Sequence, residues 1–276
     1  MKKVSVVVVT WEPKNKQYLD LCIKSLKNVD YPNLEVIVVG KKSYKPIYDG
    51  VLTIAPDSDK FNGEHAQNFA IKHISDDSEY ILVSNDDCVF TKNSIRELVE
   101  TMGDNKMILN PVCNSDNQWC YYLALGYVKN NEFKHIQKRF FRMEEIAGDE
   151  DEFMNAESLY MKGIVVPNFL CTYATIMPRS VYEDIGEIEE GFGYCGPSDY
   201  DYCLRAKQKN IPIGIALSSL IWHFGGVTTD SVKSNDDRVE NVYQFKKKWG
   251  FLPPDVTQET MNLVNQKEKY EASLTY

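Results

Sequence analysis

No stretch of this 276-residue chain is apolar for long enough to cross a bilayer. The longest run, residues 6–9 within residues 4–10, falls far short of the roughly 20 helical residues a span needs. Met1-Lys2-Lys3-Val4 carries two lysines, but no signal-length apolar core precedes Trp11-Glu12-Pro13, so the sequence predicts a soluble, cytoplasmic chain without a signal peptide. Paired cysteines are missing as well. The seven cysteines (22, 88, 113, 120, 171, 195 and 203) contain no C-x-x-C, which argues against zinc ribbons and disulfide scaffolds and for reduced thiols. Nor is there a surplus of positive charge: 31 Lys and Arg against 40 Asp and Glu leave −9, unlike a non-specific nucleic-acid coat. G-x-G-x-x-G, G-x-x-x-x-G-K-[ST] and G-x-S-x-G are all absent. Their absence argues against a dinucleotide-binding Rossmann site, a P-loop NTPase and an α/β-hydrolase. What remains is an ordinary globular balance of 43% hydrophobic and 26% charged residues, on a chain long enough to bury a core unaided.

The first 110 residues alternate strands and helices. Residues 4–10 form a β-branched apolar run, as expected of a strand buried on both faces of a parallel sheet. Tyr18, Leu19, Cys22, Ile23 and Leu26 then mark one face of a helix. Residues 34–40 and 51–55 read as strands, 62–74 as a helix, 80–84 as a strand and 91–102 as a helix. This order predicts an α/β layer sandwich. Further on, 107–112, 120–128, 170–177 and 213–218 read as strands, with helices at 179–185 and 198–210 and a polar helical tail beyond 233. Residues 134–142 carry four basic residues and no acid around Phe140 and Phe141, and residues 144–157 carry seven acids and no base. Such runs read as solvated surface, with an acceptor-facing loop as the functional alternative.

In open α/β sheets, ligands sit beyond the carboxyl ends of the strands. The strand at 80–84 ends in Asn85-Asp86-Asp87, and strand alternation puts Asn85 and Asp87 on one side and Asp86 on the other. Carboxylates placed there suit a hard cation, with Asp87 as its first ligand; the alternative is an Asx turn capping the next helix. In Ser198-Asp199-Tyr200-Asp201 the two acids point about 200° apart on a helix. Asp201 stands at i, i+4 from Arg205 for an ion pair. Asp199, in the first turn, is placed to face a cleft as a general base, or to cap its helix. His223, beside Trp222 and before Gly225-Gly226, is placed to ligate the same cation, a packed histidine being the alternative. His65, His73 and His135 lack such a context.

In this order and spacing the segments resemble family 2 glycosyltransferases of GT-A fold, in the nucleotide-diphospho-sugar transferase superfamily. The residues that carry the resemblance are Val4–Thr10, Ser25-Leu26, Leu34–Val39, Asn62-Gly63 with Ala66 and Asn68, Asn85-Asp86-Asp87 at the D-x-D position, Asp199 with Asp201, and His223. The chain departs from the family pattern in three places. Gly40-Lys41-Lys42-Ser43 stands where an acidic pair is usual, Asn85 replaces the first D-x-D acid, and Ser198 replaces the glutamate before Asp199.

The resemblance implies a mostly parallel, Rossmann-like sheet flanked by helices, with a helical C-terminal tail. It implies a transferase domain over 1–226, divided into a nucleotide-sugar half (1–105) and an acceptor half (106–226), and a helical extension over 227–276. The implied activity is metal-dependent, inverting transfer from a nucleoside-diphosphate sugar, a UDP-sugar foremost, to an acceptor hydroxyl, with Mn2+ or Mg2+. Asp199 is the expected base, and Asp87 and His223 the expected metal ligands. Thr10, Trp11, Glu12, Asn62, Asn68, Asn85 and Asp86 are expected on the donor, and Trp222, Phe192, Tyr194, Asp201, Lys138 and Arg139 on the acceptor side. The acceptor is a glycan or, if 134–142 contacts it, a polyanion such as DNA with a hydroxylated base, which would have to be extruded from the helix. A non-catalytic sugar-binding module and a nucleotidyltransferase are the readings from other classes.

Overall fold

The structure is a computed structural model that describes residues 1–11, 16–57, 62–113, 150–155, 162–192, 197–225, 227, 235–254 and 256–273. Strand β1 (Val4–Val9) is buried along its whole length, which explains its unbroken apolar run. Its even-numbered valines pack under α1 (Lys16–Asn28) and α3 (Ser94–Met102). Val7 and Val9 face the opposite layer, under α2 (Gly63–Ile71). Helices therefore cover both faces of the first half. β1 lies between β2 (Leu34–Val39) and β4 (Tyr80–Asn85), both parallel to it, and β3 (Leu52–Ile54) extends the edge beyond β2.

The second half is wound differently. β5 (Cys88–Phe90), β6 (Ile108–Val112), β7 (Ile164–Val165), β8 (Ala174–Pro178) and β9 (Ile213–His223) complete one nine-stranded sheet of order β3-β2-β1-β4-β8-β6-β9-β5, with β7 also on β9. β8 runs antiparallel to both β4 and β6, and β5 and β7 run antiparallel to β9, while β6 and β9 are parallel. Short helices α4 (Glu150–Met154) and α5 (Arg179–Ile185) and the longer α6 (Ser198–Gln208) lie in this half. Helices α7 (Asn235–Trp249) and α8 (Gln258–Ser273) pack on each other through Val242, Tyr243 and Val264. No described helix is long and apolar enough to cross a membrane.

Several expectations shift. The last strand does not stop at residue 218. Ser218 and Ser219 are buried within β9, their hydroxyls meeting Thr101 and the Ser94 carbonyl, so the strand continues to His223. The strand expected over 170–177 begins only at Ala174, because the Thr172 N–H is donated to Asp199 and not to a ladder. β5 has three residues, too few for a periodic signal, and the sequence assigns no strand there. The strand expected over 120–128 and the basic run at 134–142 lie outside the described residues.

Candidate active site

The acidic turn after β4 owes its position to two ladders. Val9 of β1 pairs with Asn85, so β1 and β4 end together. After the turn at Asp86 and Asp87, Cys88 pairs with His223 at the end of β9. That register brings the Asp87 carboxylate to 3.2 Å from His223 Nε2. Asp87 is held from behind: its carboxylate accepts the Gly225 N–H at 3.0 Å and its carbonyl the Phe224 N–H at 3.0 Å. The Asn85 amide stands 3.4 Å from His223 Nε2, on the same side as Asp87. Asp86 turns the other way, where it is buried and accepts the Thr10 hydroxyl at 2.7 Å. Burial and the neighbouring Asp87 charge push its carboxyl up to about 8, against the opposing hydrogen bonds from Thr10 and its own backbone. Helix α3 begins at Ser94 with Asn93 as its cap residue, so the Asn-Asp-Asp segment is not that helix's cap.

The donor set suits a hard divalent cation. One carboxylate and one imidazole converge, and such ions take oxygen with imidazole while leaving positions for water and phosphate. Cys88 lies in the same cluster, its sulfur within 4.8 Å of the other two donor atoms. Its thiol, however, donates to the Tyr173 carbonyl at 3.1 Å, and burial holds it protonated. Asp87 and His223 are what remain for a metal.

Asp199 sits in the first turn of α6 without capping it; the cap residue is Pro197, which forms no side-chain cap bond. The half-buried Asp199 carboxylate accepts both the N–H of Thr172, at 3.1 Å, and its hydroxyl. The next residue, Tyr173, stacks its ring on His223 with centroids 5.3 Å apart, and its carbonyl accepts the Asn85 N–H at 2.9 Å. The dipeptide Thr172-Tyr173 thus grips the Asp199 carboxylate on one side and the Asp87–His223 pair on the other. Neither residue was expected from sequence, since neither belongs to a charged motif.

Other expected site residues have structural work. Asp201 is fully buried and is shared by Arg205 at 2.7 Å, Lys248 at 2.7 Å and the Trp249 indole N–H at 3.0 Å. The ion pair with Arg205 is as the spacing implied, but the acceptor-side role is not seen. Phe192 is buried against Phe245, with Lys248 over its ring. Trp222 is 2% exposed and packs edge-on against Phe153 and Phe224, so its faces are not open to a sugar. Asn62 caps α2 by accepting the His65 N–H and donates its amide to the Glu190 carbonyl. Asn68 donates to the Ile188 carbonyl and the Glu190 carboxylate and accepts the Ile188 N–H. Both asparagines therefore clamp the 188–190 segment, and the buried Asn68 spends its amide on the protein, as a buried amide must.

Trp11 follows β1 with Lys41 at 5.0 Å from its ring centre. Gly40 lets the loop after β2 close on itself, since a Cβ there would collide with the Tyr44 carbonyl. Glu12, Tyr194, Lys138 and Arg139 lie outside the described residues. A further carboxyl, Glu64 in the first turn of α2, accepts the Ser198 hydroxyl at 2.6 Å. Only its place beside Asn62-Gly63 would have suggested it.

A family profile described as glycosyl transferase family 2 matches residues 5–165, more than half of the chain. No curated protein matches it. Among solved structures, S. aureus TarS 1–349 has a TM-score of 0.56 at 13% identity, over 95% of this chain and 69% of its own. GalNAc-T7, solved with UDP, GalNAc and Mn2+, gives 0.57 at 10% identity over 80% of this chain and 43% of its own. The mannosyltransferase PcManGT from Pyrobaculum calidifontis, solved with GDP-Man and Mn2+, gives 0.55 at 13% over 91% of this chain and 66% of its own. At these identities the likeness is one of fold.

Proposed function

The chain belongs to glycosyl transferase family 2, and from that premise we propose that it moves a sugar from a nucleoside-diphosphate sugar to an acceptor hydroxyl, with a divalent cation and inversion at the anomeric carbon. The observation that carries this reading is the Thr172-Tyr173 dipeptide, which ties a hydrogen-bonded carboxylate to a carboxylate–imidazole pair at the ends of the sheet. Asp87 and His223 would hold the cation, Mn2+ or Mg2+, which when bound neutralises charge on the departing diphosphate as a Lewis acid. Two of the fold relatives were solved with Mn2+ and a nucleotide or nucleotide sugar, which supports the same chemistry here.

Asp199 takes the acceptor's hydroxyl proton as that oxygen attacks the anomeric carbon and the nucleoside diphosphate leaves. Thr172 orients the carboxylate with two hydrogen bonds, so that little rotation is left to remove at the moment of reaction. Trp11 and Thr10, at the end of β1, border the nucleotide on this reading. The catalytic unit is residues 1–226, with 227–276 as a helical extension.

A thermal-shift panel of UDP-, GDP-, CMP- and TDP-sugars, with and without Mn2+, tests the reading. One class should raise the melting temperature only when Mn2+ is present, and Asp87→Ala should abolish that shift with the circular dichroism spectrum unchanged. A shift that persists in Asp87→Ala would remove the cation pair from donor binding.

A further inference from the structure

We propose that Glu64 is a positioning residue for the base Asp199, acting through the Ser198 hydroxyl and through its own charge. The inference rests on the reading of Asp199 as the base. Glu64 lies between Gly63 and Ala66 but is not one of the residues that carry the family resemblance; α2 delivers its carboxyl to the start of α6. The helix is fixed for that purpose at two points, Asn62 and Asn68, both tied to the 188–190 segment. Ser198 directly precedes Asp199, is 5% exposed, and donates its hydroxyl to Glu64 at 2.6 Å. Displacing Glu64 therefore displaces the backbone that carries the base.

The charges that act on Glu64 come from both neighbouring elements and are negative: Asp199 on α6 and Glu190 on the segment after α5. On its own helix, His65 is turned toward Glu190 at 2.9 Å. Burial first, then these two carboxylates, push the Glu64 carboxyl up to about 7, against hydrogen bonds from Ser198 and its own backbone. Glu64 thus changes charge near neutral pH. Once ionised, it sets a second negative charge near Asp199 and makes that carboxylate hold a proton more tightly. In the transfer step the new bond joins the acceptor oxygen to the anomeric carbon, and the bond from that carbon to the diphosphate oxygen breaks. The electron pair leaves with the diphosphate, and the acceptor proton ends on Asp199. An ionised Glu64 favours this last proton position.

A purely structural contact would use only the carboxyl oxygen of Glu64 that accepts the Ser198 hydroxyl. Glu64→Gln keeps an acceptor for Ser198 and removes the charge, so it separates the two roles. Carboxyl-carbon NMR titration of the full chain needs no substrate. The Glu64 signal should titrate near neutrality in the wild type and at clearly lower pH in Asp199→Asn, where one neighbouring charge is gone. An unchanged midpoint would overturn the proposal. In turnover of the nucleotide sugar selected by the thermal-shift panel, wild-type kcat should rise through neutral pH. Glu64→Gln should lose that rise, running about fivefold slower at pH 8.5 and nearly equal at pH 6. Equal loss at every pH, with a lowered melting temperature, would overturn the proposal and leave Glu64 a structural contact of Ser198 and nothing more. Full activity of Asp199→Asn would instead refute the base assignment, a result distinct from either.

Discussion

The strands of residues 4–85 and those of residues 88–223 share one sheet, but they are held in different ways. In the first group β1 is in full six-residue register with both β2 and β4, and helices cover it on two faces. Many equivalent apolar contacts fix β1, β2 and β4. In the second group β8 with β4 and β6 with β9 pair over five residues, the latter with a register shift, but β5 is paired over three residues, β7 over two, and β6 with β8 at one described pair. There, single polar contacts decide where the chain goes: Thr172 on Asp199, Gly225 on Asp87, Trp249 and Lys248 on Asp201. Redundant packing makes a platform, and sparse, specific contacts on top of it place reactive groups.

The sharpest way to test that division is at Asp199. Replacement by Asn should lower turnover by about 10²–10⁴-fold, with donor affinity and melting temperature close to wild type. A stable Asp199→Asn enzyme with full turnover would break the comparison, because a specific contact would then carry no chemistry.

Asp201 should behave in the opposite sense. Asp201→Asn leaves Arg205 and Lys248 without their buried partner, a change worth about 3 kcal/mol by analogy with broken buried pairs. Chemical denaturation should show that loss, and kcat of the remaining folded fraction should be nearly normal. If turnover collapses while stability is retained, the roles of the two acids are reversed.

These two acids also show how much of the site the sequence could disclose. The ion pair between Asp201 and Arg205 follows from spacing on a helix, and so does the opposite facing of the two acids. The partners Lys248 and Trp249 come from a helix more than 40 residues away, and no local pattern points to them. The same holds across the molecule. β1, β2, β4 and α1 were legible because burial on two faces, or on one stripe, writes a period into the chain. β5 and β7 were not, since two or three residues cannot show a period. The hydrogen bonds of Asn62 and Asn68 to the 188–190 segment were not legible either, because a polar residue in the sequence does not reveal whether it faces a ligand or a buried carbonyl. Trp222 and Phe192 were misplaced for the related reason that aromatic residues serve cores and sugar faces alike.

A milder test is Thr172→Val, which removes the hydroxyl bond to Asp199 but keeps the N–H bond. We expect kcat to fall by about tenfold with KM nearly unchanged, the cost of a less well oriented base. An equal change in KM would move Thr172 from orientation to substrate binding.

The smallest expected effect is on stability against pH. The folded-state pKa of Glu64 lies above its ordinary value of 4.5, at about 7. Its favourable contribution is therefore complete below about pH 4.5 and is lost as pH rises through 7. Melting temperatures taken from pH 5 to 8 should fall less steeply in Glu64→Gln than in the wild type. Parallel curves would show that the carboxyl is already ionised at pH 5.

The pairing of β5 with the end of β9 has a consequence for how the protein is made. Asn85 and His223 meet across 138 positions of chain. During synthesis the parallel platform and Asp87 emerge well before the imidazole does, and a product cut short of residue 223 keeps the acidic turn but lacks its partner. Contacts this distant in sequence are slow to close. The Asp87–His223 pair is thus a marker of completion: it exists only in chains that have been translated, and folded, through to β9, the last described strand of the sheet.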